Sequence, residues 1–375
     1  MKSFIFAYND VGDYMKPYNE TNLPIAFKYD LELMKLLGVA KEKNAKYCAM
    51  LEYTDVPSEL LLKPVRFQEA FKSMELSGNT MSQSSLYYFK YGEMNILQNE
   101  LLNYFQVLEN FKSYLTKTFK LSVGYLNRMH QDIFYNQELS GRELGKYRQK
   151  INWIGSRGKS MYEAEYVPTH PFDIPIAMSN FIKYFNKGDT IDFLLDMAVS
   201  HAQFENIHPY KDGNGRLGRL LIPIQSFIAT NSIISLFLSE AIKNNEYAYY
   251  EHLKQFRMNQ PEKYLKFFLK LVIEQLDLNI NRISESIKIY HTDKELFLSL
   301  IGKKNGALVY DYVFANITST IKEASNDLNI NYQTIRNYYI KLNNAGVFAS
   351  HKIQQGEHVY TYIKMYQVFV PIDWL

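Results

Sequence analysis

The sequence predicts a mainly α-helical protein in which one β-hairpin interrupts a helical body and a helix–turn–helix followed by a second hairpin ends the chain. Three observations carry this reading. Apolar residues recur at three- and four-residue spacing from about 95 to 290. A glycine-flanked extended stretch breaks that pattern between Gly141 and Pro171. Beyond about 291, short helical segments give way to two runs rich in Val, Ile and aromatics. With 375 residues and 47% hydrophobic content the chain has material for two or three domains, expected at 1–94, 95–290 and 291–375.

Residues 1 to about 90 carry turn signals at Asn9-Asp10, Pro17, Pro24, Pro57 and Pro64, with a helix near 28–38. Leu101, Phe105, Leu108 and Phe111 mark one amphipathic helix; Leu121, Tyr125, Met129 and Ile133 begin another. In the interruption, Gly145, Gly155 and Gly158 flank Ile151-Asn152-Trp153-Ile154, and a second extended piece covers Tyr162 to Val167. These read as a hairpin that packs Trp153 into the core, exposes an edge to a partner, or does both. Ile191, Leu194, Leu195, Ala198 and Ala202 form one helical face, and Leu217, Leu220, Leu221, Ile224 and Ile228 the next. Pro261, a favourable first-turn residue, opens a long helix. Further on, Val309–Phe314 reads as a helical turn, and Thr318–Leu328 and Tyr332–Asn343 as helices around the turn Asn329-Ile330-Asn331. Ala324, Leu328, Ile330, Ile335, Tyr339 and Leu342 supply a core. A hairpin of Val347–Ile353 and Val359–Ile363 then completes the outline of a winged helix. Gln333, Thr334, Arg336, Asn337 and Lys341 face outward, types that touch phosphates and base edges, so DNA is one expected partner and protein docking the other.

The densest chemistry lies at 208–219, His-Pro-Tyr-Lys-Asp-Gly-Asn-Gly-Arg-Leu-Gly-Arg, between two apolar-faced helices. The Gly-Asn-Gly feeds a helix N-terminus, where orphan N–H groups and the dipole favour an anion. Gly213 and Gly215 are expected at positive φ, letting backbone approach that anion. Arg216 and Arg219, one turn apart, place two guanidinium forks on phosphate oxygens. Asp212 is a hard oxygen ligand for Mg²⁺ (or Mn²⁺), and His208 has the side chain suited to take a proton near neutral pH. Together these point to phosphoryl-type transfer from a nucleotide. His201, seven residues earlier, lacks companion ligands and reads as structural; Glu205 and Asn206 read as helping to end the helix, and Lys211 as solvent-facing.

This string resembles the signature of Fic proteins, His-Pro-Phe-x-Asp/Glu-Gly-Asn-Gly-Arg-x-x-Arg, with Tyr210 in place of Phe. The resemblance implies a Fic helical core with a β-hairpin flap and transfer of AMP from ATP to a Ser, Thr or Tyr hydroxyl of a target protein, releasing pyrophosphate. On that basis His208 is the base and Arg216 stabilises charge on the leaving group. Asp212 holds the metal, Gly213, Asn214, Gly215, Arg216 and Arg219 bind the nucleotide, and Tyr210 buries its ring to anchor the loop. Related Doc kinases carry Lys at the second glycine; Gly215 here favours nucleotidyl transfer. The segment Gly145–Gly155 resembles the approach to the flap, so Ile151, Trp153 and Gly155 are expected to dock the target by strand addition. Upstream, Ser73 to Thr80 resembles the family's inhibitory helix near 70–78, whose Glu pairs with the second motif arginine. Here that position is Ser77, and Glu75 lies about 200° round the helix. The resemblance therefore implies an inhibitory helix with its charge missing and weakened autoinhibition. UMP, GMP, phosphocholine or phosphoryl donors are the alternatives among enzymes. A DNA-binding transcriptional regulator with a nucleotide-sensing Fic domain is the alternative of another class. A homodimer is expected by family analogy alone.

Composition narrows the classes. A net charge of +3 demands neither nucleic acid nor an anionic membrane. The single cysteine, Cys48, read as a partly buried small hydrophobe, excludes an internal disulfide framework and a Cys-rich zinc site. An N-terminus that turns polar early and no membrane-length apolar run place the expected protein in the cytoplasm, without membrane contact.

Overall fold

In the N-terminal half, helices form where one apolar face meets the centre of the molecule. The computed structural model describes residues 18, 23–78, 91, 96–135, 143–154, 164–231, 236–353 and 356–370. Helix α1 (Leu31–Glu52) starts at Asp30, whose carboxylate accepts from the Leu33 N–H. It runs well past the expected 28–38 because Leu37, Ala40, Tyr47 and Leu51 keep its inner face buried. α2 (Ser58–Leu76) passes through Pro64, read from sequence as a turn signal. A proline in a helix interior costs about 3 kcal/mol. Burial of Leu61, Leu62, Val65, Ala70, Phe71 and Met74 along the same helix outweighs that.

α3 (Ile96–Tyr114) buries Leu101, Leu108 and Phe111, and α4 (Val123–Asp132) is capped by Ser122. α5 (Ile174–Lys187), α6 (Phe193–Ile207) and α7 (Asn214–Thr230) form the next packed group, with α6 antiparallel to α7 across a short turn. α8 (Ser239–Asn244) and α9 (Glu246–Arg257) lead into α10 (Pro261–Ile301), which begins at the expected proline. At 41 residues α10 spans about 60 Å and is the axis of the molecule. α1 lies along it, tied by Lys266 to Asp30 at 2.6 Å and to Glu32 at 2.8 Å. The helix passes the expected boundary at 290–291 without a break.

After α10 come α11 (Lys303–Asn316), β1 (Thr318–Thr320), α12 (Ile321–Leu328), α13 (Tyr332–Asn344), β2 (Phe348–Lys352), β3 (His358–Tyr362) and α14 (Ile363–Phe369). α11 is a full helix where a turn at 309–314 was expected, since Val309, Tyr310, Val313 and Phe314 all reach the core. Thr318–Thr320, expected as the start of a helix, is instead a strand pairing antiparallel with β3, in the order β1-β3-β2. The β-branched Thr318 and Thr320 suit it. Thr320 ends the strand by capping α12 in a reciprocal capping box with Glu323. Ala324, Ile335, Tyr339 and Leu342 are buried as expected, with Leu328 and Ile330 packed against them.

One hydrophobic core runs from Leu33 to Val370. Phe297 of α10 packs into its C-terminal part, with its ring centroid 4.6 Å from Tyr310 and 5.6 Å from Tyr362. Cys48 is half-buried and forms no disulfide. Among the described residues no helix is long and apolar enough to cross a membrane. Truncating Phe297 to alanine should destabilise the protein by about 3–5 kcal/mol, read from urea unfolding monitored by circular dichroism; a loss under about 1 kcal/mol would mean that this ring does not anchor α10 to α11 and β3.

Candidate active site

The turn from α6 to α7 carries the motif, and its geometry is set by what satisfies its carbonyl groups. α6 ends because His208 takes a left-handed conformation, φ 50° and ψ 60°, while its N–H still bonds the Phe204 carbonyl at 2.9 Å. Arg148, buried, donates from Nε to the His208 carbonyl at 2.8 Å. Its Nη2 reaches the carbonyls of Ile207, at 3.3 Å, and Thr169. Its backbone N–H bonds the Pro209 carbonyl at 2.9 Å. Asn214 closes the turn reciprocally, accepting from the Tyr210 N–H at 2.9 Å and donating to the Tyr210 carbonyl at 2.8 Å. His130 accepts from the Gly145 N–H through Nδ1 at 2.9 Å, so its Nε2 donates to the Asp212 carbonyl at 3.0 Å. The ring of His130 also stacks on Tyr210, centroids 4.2 Å apart. Tyr210 is fully buried and donates to Asn127 at 2.7 Å, the anchoring role expected of it.

Gly213 caps α7 at φ 78°, and a Cβ there would meet the Phe134 ring at 2.8 Å. Only glycine fits both demands. Gly215 departs from expectation: it lies in the first turn of α7 and is not at positive φ. Its missing Cβ leaves room for Arg219, whose Nη1 would be 3.0 Å away. The Asn214 side chain is likewise spent on shaping the turn, so an anion at this helix start meets backbone N–H groups.

Both motif arginines are held by helices far upstream. Arg216, 4% exposed, donates from Nη1 to Glu100 of α3 at 2.7 Å and lies over the Phe134 ring at 4.3 Å. Arg219 donates from Nε to the Ser73 hydroxyl at 2.8 Å, and from Nη2 to the Ser73 carbonyl at 2.8 Å and the Ser77 hydroxyl at 3.2 Å. Ser77 is the C-cap of α2, with Gly78 beyond it at φ 85°. Glu75 points elsewhere, to Lys72 at 2.8 Å. The C-terminal end of α2 thus docks on the second motif arginine through neutral hydroxyls.

Two buried carboxyls lie near Arg219. Burial pushes Glu69 up, opposed by bonds from Ser239, and raises Glu205 to about 7. Glu205 does not end the helix, as its position suggested. Its Oε1 is buried without a hydrogen-bond partner, against Gly218. Asn206 is also buried and accepts from Arg257 at 3.1 Å. Burial, aided by the Arg148 cation, holds His208 down to about 4, with Asp212 and the Glu205 carbonyl pulling the other way. The imidazole is therefore neutral at pH 7 and able to accept a proton. His201 is structural: it is buried, pushed down to about 3 by burial, and bonded to the Gly218 carbonyl at 3.2 Å and the Tyr249 hydroxyl at 2.9 Å.

Asp212 keeps its side chain 47% exposed, with Oδ1 accepting from the Gly213 N–H at 2.7 Å and lying 4.0 Å from Arg216. Among the described residues no group of three or more His, Cys, Asp or Glu could hold a metal unaided. One half-exposed carboxylate suits Mg²⁺, which takes most of its ligands from phosphates and water. Lys211 is exposed, as expected.

At the expected flap, Ile154 and Tyr166 form an antiparallel bridge, the Ile154 N–H bonding the Tyr166 carbonyl at 2.8 Å. Gly155 lies outside the described residues. Ile151 is half-buried, and Trp153 is 45% exposed, so it does not pack into the core. Tyr166 bonds the Asn206 carbonyl, fixing the bridge to the end of α6.

Comparison with known proteins agrees with this geometry. Residues 120–225, from just before α4 to most of α7, match the Fic/DOC family. The chain carries a Fic/DOC domain. A probable protein adenylyltransferase of Aquifex aeolicus is 23% identical over 258 residues, covering 62% of this chain and 74% of that protein. A protein adenylyltransferase Fic of Nematostella vectensis is 25% identical over 268 residues, covering 68% of this chain and 57% of the relative. A Fic family protein from Desulfovibrio desulfuricans has the same fold over 92% of this chain and 98% of its own, with TM-score 0.57 at 16% identity. A Fic domain containing signaling protein from Bacteroides thetaiotaomicron covers 68% of this chain and 97% of its own, with TM-score 0.51 at 20% identity.

Arg148, His130 and Glu100 are residues of this site to which sequence reasoning assigned no role, and Glu205 is one to which it assigned a different role. Arg148 stands in the segment leading to the flap, but nothing in its neighbours says that it serves a loop sixty residues on. Glu205 gives a test of the electrostatics. Its folded pKa lies above the ordinary carboxylate value, so its buried charge is unfavourable above about pH 7 and relieved below. Glu205→Gln should gain stability over the parent at pH 8 and lose that advantage by pH 5, measured as the difference in urea midpoints at the two pH values.

Proposed function

We propose that this protein transfers AMP from ATP to a hydroxyl side chain of a target protein and releases pyrophosphate. The observation that carries the reading is the α6–α7 turn itself. It brings a neutral imidazole, a half-exposed carboxylate, two guanidiniums and a helix N-terminus together within twelve residues. The names of the Aquifex and Nematostella relatives support the same class of reaction. His208 takes the proton of the attacking hydroxyl. That oxygen bonds the α-phosphorus, and the bond from the α-phosphorus to the α–β bridging oxygen breaks. Charge on the departing pyrophosphate meets the first N–H groups of α7 and the guanidiniums of Arg216 and Arg219. Mg²⁺, held by Asp212 and the phosphates, would supply further charge neutralisation. The exposed stretch around Trp153 supports a role in placing the target backbone beside His208.

In the state described here the guanidiniums are occupied, Arg216 by a carboxylate and Arg219 by hydroxyls. A polyphosphate competes for Arg219 against neutral partners, which favours the incoming anion. Ser77 thus weakens a restraint that a carboxylate in its place would impose. Ser77 is exposed, so a longer side chain is accommodated.

The decisive experiment follows label from α- and γ-labelled ATP into protein with Mg²⁺. Label arrives from the α position only, and His208→Ala abolishes it by at least 10³-fold, in line with loss of a general base. Label from the γ position would overturn the reading in favour of a kinase. Because burial holds His208 near 4, the acid limb of kcat/KM falls near pH 4 and not near 6.5. Ser77→Glu weakens ATP binding tenfold or more in isothermal titration, and an unchanged affinity would show that α2 exerts no control over Arg219.

A further inference from the structure

The C-terminal unit presents a surface that the transfer reaction does not use. α12 ends at Asn329 in a left-handed conformation, φ 51° and ψ 43°, and Asn331 caps α13 by accepting from the Gln333 N–H at 2.9 Å. α13 is locked from below. Ile335, Tyr339 and Leu342 are fully buried, the Tyr339 hydroxyl bonds Ser319 at 2.7 Å, and its ring packs 5.1 Å from both Phe348 and Tyr360. The hairpin of β2 and β3 stands beside it, with His351, Lys352 and His358 exposed.

On the outer side, Gln333, Arg336, Asn337, Lys341 and Asn344 recur at three- and four-residue spacing and are all exposed. Gln333 already orients Asn337, donating to its Oδ1 at 3.1 Å. The helix Tyr332–Asn344 contains no Asp or Glu. The acids of the helices around it are turned to other work. Asp311 accepts from Tyr290 at 2.8 Å and Asp327 from Tyr312 at 2.9 Å, while Glu323 closes the cap of α12 and accepts from Tyr91 at 2.7 Å. Glu357 stands on the hairpin, next to His358. The side chains along the outer stripe are the ones that pair with base edges: Asn and Gln with adenine, Arg with guanine. A rigid thirteen-residue helix that carries Arg336 and Lys341 on that stripe, with Lys352 of the hairpin at its flank, has the size and charge to enter a major groove.

We propose that α13 and the β2–β3 hairpin bind duplex DNA, with Gln333, Arg336 and Asn337 at base edges and Lys341 and Lys352 on phosphates. The surface lies apart from His208, so this reading stands or falls separately from nucleotide transfer. The full chain is titrated against a fluorescein-labelled 30-base-pair duplex of random sequence at 50 mM salt, followed by anisotropy. Binding is expected in the micromolar range, weakening as salt rises with a log–log slope of about −2 to −4 for two to four phosphate contacts. The double variant Arg336→Ala/Lys341→Ala weakens binding at least tenfold, with thermal stability and label transfer unchanged because both side chains are exposed. His208→Ala binds as the parent does. No anisotropy change up to 50 μM protein would overturn the proposal and leave the face to a protein partner. So would full binding by the double variant, which would place DNA elsewhere.

Discussion

A two-helix turn that offers N–H groups to an anion must first dispose of its carbonyl oxygens, and Arg148 is how this molecule does so. Within a few residues α6 ends and α7 begins, so several carbonyls lose helical partners at once. Arg148 gathers those of Ile207 and His208 on one guanidinium and that of Pro209 on its own backbone N–H. His130 takes the Asp212 carbonyl and Asn214 the Tyr210 carbonyl. With the negative ends of these peptide dipoles bound to protein, the helix start of α7 keeps its positive end for a ligand. Burial pulls the Arg148 guanidinium down to about 10, so it remains charged at neutral pH. That cation is then one of the causes of the neutral state of His208. The same residue shapes the turn and adds to burial in keeping its imidazole neutral.

The two motif arginines connect this turn to helices that lie outside the 106 residues matching the Fic/DOC family. Glu100 and Arg216 form an ion pair buried on both sides, 2.7 Å apart. Losing one partner of such a pair costs far more than the pair contributes, because an uncompensated charge remains. Arg216 therefore depends on Glu100 for its position whenever phosphate is absent. Arg219 is held differently, by a carbonyl and two hydroxyls at the end of α2. A guanidinium bonded to neutral acceptors is held less strongly than one ion-paired with a carboxylate. The two guanidiniums thus differ in how readily they turn to an anion, and the difference lies in upstream residues.

How far the site was legible depends on the range of the interactions that make it. Short-range features came through: the helix–turn–helix around 208–219, the buried Tyr210 and the start of α10 at Pro261. Gly213 is left-handed as expected, whereas Gly215 is not, because its role is to clear space for Arg219 one turn along. Glu100, His130 and Arg148 escaped because their partners are 116, 82 and 60 residues away and no local pattern marks them. The length of α1 and the passage of α2 through Pro64 were hidden for a related reason. Both are decided by burial against α10 and α8, which outweighs local turn preference. Trp153 shows the converse, an aromatic whose hydrophobicity suggested the core while the fold leaves it nearly half exposed.

The long helix α10 has a mechanical consequence for the whole chain. It packs on α1, α6 and α9 and also on α11, α13 and α14. Arg282 in its middle grips Glu240 of α8 and lies over Phe369 of α14, 5.3 Å from the ring. Buried Asp293 accepts from Tyr362 at 2.7 Å and from Lys364 at 2.6 Å, anchoring the third strand. A helix of this length, clamped on several sides and continuous with one hydrophobic core, leaves little room for a hinge between the α6–α7 turn and α13. The α6–α7 turn and α13 are therefore held on one packed framework, through α6 and α13 against the same helix.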